Sequence, residues 1–160
     1  MPTVSNTSPI LNLAIIDQLD LLHQQFERIV IPSTVLSELK IDEDKPGSET
    51  IGNAITAGWI QVVAVNNPSL VRLLRQTLDA GESEAIALAI ETSAEWTLLY
   101  ERDARQSAKS LGLKVTGVLG VLIKAKQMGR LASIEPAIET LIEKAGFRIA
   151  PNLLAEILER

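Results

Sequence analysis

The sequence contains no cysteine, one histidine, and among aromatics only two Phe, two Trp and one Tyr in 160 residues. Without cysteine there can be no disulfide or thiolate metal site, which suits a cytosolic protein. With so few aromatics, stacking on nucleic-acid bases can contribute little. Long apolar runs are also missing. The longest, around Val115 to Ile123, is broken by glycines and falls well short of the ~20 residues a membrane-spanning helix needs. No basic segment followed by an apolar one opens the chain, so no secretory signal and no membrane partner are expected. There is no Gly-rich phosphate loop, HExxH or GxSxG, which argues against nucleotide-dependent, zinc-protease and serine-hydrolase chemistry. His23 stands in a polar Leu-His-Gln-Gln stretch and is expected at the surface.

What is present is enough apolar sequence for a core. Hydrophobic residues make up 46% of the chain, and its length fits one domain over residues 1–160. Net charge is −5, but it is unevenly placed. Between Arg102 and Arg130 there are seven basic residues and one acidic residue, Asp103; the rest of the chain is strongly acidic. Such asymmetry hints at a face for a polyanion, although solvated helix faces produce the same pattern more often.

Short β-branched segments alternate with helical spacings. Strands are expected at Thr3 to Asn6, Arg28 to Ile31, Trp59 to Val65, Trp96 to Tyr100 and Leu113 to Thr116. Ser8 and Pro9 offer a helix N-cap and first position, Pro32 stops the second strand, and Gly58 ends the helix before the third. A helix running to Asp79 is expected to break at Ala80-Gly81 before another begins at Glu82. The last forty residues read as helices interrupted at Gly129, Ser133 to Pro136, and Gly146 to Pro151. The alternation predicts an α/β fold, a parallel sheet with helices on both faces. Ligands then bind beyond the C-terminal strand ends, where sheet order reverses.

Acidic and polar groups gather at those ends. Asn6 closes the first strand, Glu38 follows the second, Glu82 and Glu84 open an apolar helix, and Glu101 and Asp103 follow the fourth strand. Acidic groups from distant segments, all at element ends, suggest a site for a hard divalent cation such as Mg²⁺ or Mn²⁺. Such a metal would activate a water and neutralise charge on a scissile phosphate. Glu82 and Glu84 lie about 200° apart on an ideal helix, so one faces the site and the other caps the helix or pairs with a base. Glu82 is the expected ligand. Taken singly, a Glu near a helix end is a solvated cap far more often than a ligand, Asn6 could be a turn residue, and Tyr100 reads as core or rim; the case rests on the constellation.

The ordered motifs "VSNTSPILNLA", "IPSTVLSEL", "GESEAIALA", "LLYERDARQSA" and "GLKVTGVLGVLIKAKQMG" together resemble a PIN-like family whose members look like VapC-type toxin nucleases. The resemblance is strongest over residues 4–130, with 131–160 as C-terminal helices. It implies a three-layer α/β/α sandwich with a central parallel sheet of four to five strands. It also implies a metal-dependent ribonuclease, the toxin of a type II toxin–antitoxin pair, often homodimeric and held by a small antitoxin.

Carried over by position, the family's first acid falls on Asn6, which offers a carbonyl oxygen but no charge, beside the retained hydroxyls of Thr7 and Ser8. The second falls on Glu38 and the third on Glu82, with Glu84 nearby. The fourth falls on Tyr100, leaving Glu101 and Asp103 to serve in its place. The resemblance assigns metal binding to Glu38, Glu82 and Asp103, and phosphate contacts to Arg102, Arg105 and Lys109. Asn6 and Tyr100 at acidic positions also motivate a second function, a PIN-like binding module that holds an antitoxin or RNA with catalysis weakened or lost.

Overall fold

A computed structural model describes residues 1–159. Its centre is a five-stranded, all-parallel sheet in the order β3-β2-β1-β4-β5. The strands are β1 (Thr3–Ser5), β2 (Ile29–Ile31), β3 (Ile60–Val62), β4 (Trp96–Leu98) and β5 (Val115–Thr116). Register is continuous across the middle: Val4 sits opposite Val30 on one side and Thr97 on the other. Ten α-helices flank the sheet among the described residues, giving the expected three-layer α/β/α sandwich.

Strand alternation divides the core. Ile29, Ile31 and Leu98 point into the larger cluster, which is built with α1 (Thr7–Ile15), α2 (Asp20–Phe26), α8 (Val118–Gln127) and α9 (Glu135–Ala145). Val4 and Val30 point the other way, onto Ala85, Leu88 and Ala89 of α6 (Ala80–Glu91). On that same face α5 (Pro68–Leu74) and α7 (Arg102–Ser110) close over Ile86 and Ala87. Because α6 is buried on nearly all sides, its apolar run has no polar stripe. Helix α3 (Ser33–Leu39) packs against α1 and α6, α4 (Ser48–Ala57) against α1 and β3, and α10 (Pro151–Leu158) follows last. No helix among the described residues is long and apolar enough to cross a membrane.

Several boundaries differ from the sequence expectation for local reasons. Strand β3 stops at Val62 instead of Val65, because its only neighbour, β2, ends at Ile31; a last bond runs from Val63 N–H to Ile31 O at 2.9 Å. Helix α1 begins at Thr7, so Ser8 lies inside its first turn and Asn6 takes the cap position. Helix α5 ends at Leu74, and the chain turns through Arg75 to Asp79. Gly81 is therefore no breaker: α6 starts at Ala80, fixed by a reciprocal capping box between Asp79 and Glu82.

Candidate metal centre

The chain leaves β1 toward β2 and β3 and later returns to add β4 and β5 on the other side, so sheet order reverses between β1 and β4. Asn6 stands just past the end of β1, its N–H donating to Leu98 O at 3.0 Å. Although it occupies the cap position of α1, its side chain makes no cap bond. Asn6 is 6% exposed, and its Oδ1 is buried without a hydrogen-bond partner. A buried acceptor left unpaired is costly and calls for a ligand or a functional reason.

Glu38 reaches the same spot from α3. Its Oε1 accepts a hydrogen bond from Thr7 Oγ1 at 2.5 Å. Gly81, in the first turn of α6, packs against both: a Cβ built on it would overlap Glu38 Oε1 and stand 3.1 Å from Asn6 Oδ1. Only a residue without a side chain lets α6 approach this pair of oxygens.

Glu82, one residue on, is 6% exposed. Its Oε1 accepts from Asp79 N–H at 3.2 Å, while its own N–H donates to Asp79 Oδ1 at 2.8 Å. Burial raises its carboxyl above the ordinary carboxylate range. The Asp79 N–H opposes that shift, while the negative charges of Asp79, Glu101 and Glu38 add to it. Glu82 also lines a cleft of about 350 Å³ with Asp79, Glu101, Arg102 and Asp103.

The donors are all oxygens, one of them an orphaned buried amide oxygen, beside carboxylates whose mutual repulsion a cation would relieve. That set fits a hard divalent ion that keeps part of its water shell. Among the described residues, no three His, Cys, Asp or Glu side chains close into a metal cage by themselves.

A PIN-domain family model matches residues 2–160. The chain belongs to the PIN-domain family. PIN domains are generally nucleases and typically use divalent metal ions. The chain is also similar to a PilT N-terminus domain protein from the hyperthermophilic archaeon Sulfolobus solfataricus P2. The two are 19% identical, the likeness covers 78% of this chain and 93% of the other, and the TM-score is 0.50, a likeness of fold. No curated protein matches the sequence.

In this PIN domain the other expected residues divide. Asn6, Thr7 and Glu38 form the cradle; Glu82, Glu101 and Asp103 share the adjoining cleft, with Arg102 on its wall. Ser8 is half-buried in α1 and makes no side-chain hydrogen bond among those described. Glu84 turns to α3, where Thr34 Oγ1 donates to its Oε2. Tyr100 turns away from the acidic cleft: its ring lies 5.0 Å from that of Phe147, and its hydroxyl accepts from Arg148 N–H at 3.0 Å. Arg105, expected to contact phosphate and so to stand at the cleft rim, is half-buried; its Nη1 donates to Leu99 O at 3.0 Å and lies so close to Gly117 that a Cβ there would stand 2.7 Å away. Lys109 is exposed in the last turn of α7, about 10 Å along the helix from Arg102.

Sequence reasoning took Gly81 for a breaker instead of a packing residue, and Asp79 for the end of one helix instead of the cap of the next. The Asp-x-x-Glu spacing of a capping box was a signal for Asp79; for Gly81 there was none short of knowing that α3 lies against it.

The raised Glu82 carboxyl predicts a stability effect. Between the ordinary carboxylate value and the higher native one, the folded protein holds more protons than the unfolded chain, so stability falls as pH rises through that window. Glu82→Gln removes the penalty and keeps an acceptor for Asp79 N–H. Its melting temperature at pH 7.5 should exceed wild type by about 2–4 °C, the equivalent of about 1 kcal/mol. Melting curves at pH 7.5 and pH 4 check this: the gap should close at the lower pH, and a less stable variant at pH 7.5 contradicts it.

Proposed function

We propose that this PIN domain is a divalent-metal-dependent endoribonuclease and the cytoplasmic toxin of a type II toxin–antitoxin pair. The observation that carries the nuclease reading is the orphaned Asn6 Oδ1, held beside Glu38 across Gly81 at the reversal point of the sheet. Glu38 with Asn6 Oδ1 as a neutral donor in the cradle, and Glu82 and Asp103 in the adjoining cleft, are the residues that would hold Mg²⁺ or Mn²⁺, which would supply charge neutralisation at the scissile phosphate and acidify a water.

The chain's own groups do the rest. Thr7 fixes the Glu38 carboxylate through its hydroxyl. The Asp79 N–H holds Glu82 Oε1, so the second carboxylate is oriented before substrate arrives. Glu101 caps no N–H with its side chain, which leaves its carboxylate available to accept the proton of the attacking water. Arg102 brings a positive charge to the wall of the acidic cleft, where it can hold a phosphate flanking the cut. The antitoxin partner and a homodimeric state rest on the sequence resemblance.

The test is a generic fluorogenic RNA incubated with purified, partner-free protein. Cleavage is expected with Mn²⁺ or Mg²⁺ and none with EDTA; cleavage that persists in EDTA overturns the reading. A second reading, a binding module with weakened catalysis, draws on the uncharged Asn6 and on Tyr100, whose hydroxyl is engaged elsewhere. That reading predicts RNA or antitoxin binding with no cleavage under any metal.

A further inference from the structure

Glu84, a second carboxylate near the start of α6, sits in a second cleft that the cleavage chemistry does not use. Thr34 and Glu38 are four residues apart on α3, and Gly81 and Glu84 three apart on α6. The two helices therefore meet at two successive levels, Glu38 against Gly81 and Thr34 against Glu84. About one helical turn separates them. The Thr34 bond holds the Glu84 carboxylate in place while leaving most of its acceptor positions open.

Glu84 is half-buried and lines a cleft of about 470 Å³. Ala64, Val65, Pro68 and Val71 form an apolar wall, and Ser33 and the exposed Arg72 and Arg75 line the rest. Among the described residues neither arginine forms an ion pair. The cleft thus offers an apolar surface for the face of a base, a fixed carboxylate for its edge, and two cations for the phosphates on either side. Single-stranded RNA is read through these kinds of contact.

We propose that this cleft is a base-reading subsite of the ribonuclease, in which Glu84 selects guanine beside the scissile phosphate; the proposal rests on the nuclease reading above. Guanine alone among the standard bases presents two neighbouring donors, N1–H and the N2 amino group, on its Watson–Crick edge. A carboxylate accepts both. Adenine and cytosine set a ring acceptor against it, and uracil flanks its single N–H with two carbonyls. Arg72 and Arg75 contribute affinity without sequence information.

Binding in place of cleavage separates this proposal from its parent. Fluorescence anisotropy with Glu38→Gln protein compares short oligouridines carrying one central guanosine or one central adenosine. The guanosine oligonucleotide should bind about tenfold more tightly, the scale of one bidentate base contact. Adding Glu84→Gln, which keeps an acceptor for Thr34, should bring the guanosine oligonucleotide down to the affinity of the adenosine one. Glu84→Ala should do the same, and melting curves check that both fold. Arg72→Ala and Arg75→Ala should each weaken binding of both oligonucleotides and lower the salt dependence by about one ion. Binding without a guanosine preference, or a preference that survives both Glu84 variants, overturns this proposal and leaves the nuclease reading standing. Binding of neither oligonucleotide overturns it as well, whereas metal-dependent cleavage is tested separately by the fluorogenic assay.

Discussion

Gly81→Ala is expected to lower metal-dependent RNA cleavage by about 100-fold while the protein melts at or above the wild-type temperature. The new methyl group would overlap Glu38 Oε1 and crowd Asn6 Oδ1 at 3.1 Å. Glu38 is exposed and carried on a flexible side chain, so it can swing outward. In doing so it gives up the Thr7 hydroxyl and its place beside Asn6. A misplacement of about 1 Å in a catalytic group is enough for a loss of this size. Stability moves the other way, because Gly81 lies within α6 and alanine is favoured over glycine in a helix by about 0.5–1 kcal/mol. Cleavage rates and melting curves on the same preparation check both halves. A fully active variant would show that the cradle is not the reaction centre. Lost activity with a steep fall in melting temperature would make the effect one of folding.

Glu38→Gln should be at least as damaging, lowering cleavage by about 100- to 1,000-fold, the scale for removing a preorganised charged group at a reaction centre. The amide keeps an oxygen for the Thr7 hydroxyl and the residue is exposed, so the melting temperature should stay within about 1 °C of wild type, as for other surface substitutions. Thr7→Val gives the graded comparison. It leaves the Glu38 charge and removes only the bond that orients it, a loss of about 10-fold, as for outer partners of metal ligands. If Thr7→Val and Glu38→Gln proved equally inactive, Thr7 would be acting on substrate directly.

Most of the fold was legible because its signals are local. The β-branched residues at Val4, Ile29 to Ile31 and Thr97 mark strands, and Ser8-Pro9 and Pro32 mark the turns into helices, α1 opening one residue before Ser8. Parallel pairing then follows from the intervening helices. The residues of the site were legible as positions at element ends, since topology alone sends Asn6 and Glu101 to the same edge of the sheet. What each side chain does there was not. Whether Glu82 or Glu84 faces Glu38 depends on how α6 is rotated against α3, and the apolar run of α6 is too uniform to show it. Tyr100 leaves the cleft because Phe147 and Arg148 fold back onto it from nearly fifty residues away in sequence. Arg105 leaves the rim because Leu99 O and the bare backbone of Gly117 make a seat for it. Each of these depends on a contact between elements that are separately legible but whose mutual orientation is a property of packing.

Cleavage requires that a centre with Asn6 in place of an acid still gathers a divalent cation around Glu38. Isothermal calorimetry of Mn²⁺ binding to the partner-free protein, beside Glu38→Gln, measures this directly. A saturable Mn²⁺ heat is expected in the wild type, and Glu38→Gln should abolish it or weaken it at least tenfold. No saturable heat in the wild type, or the same heat in both proteins, would contradict it.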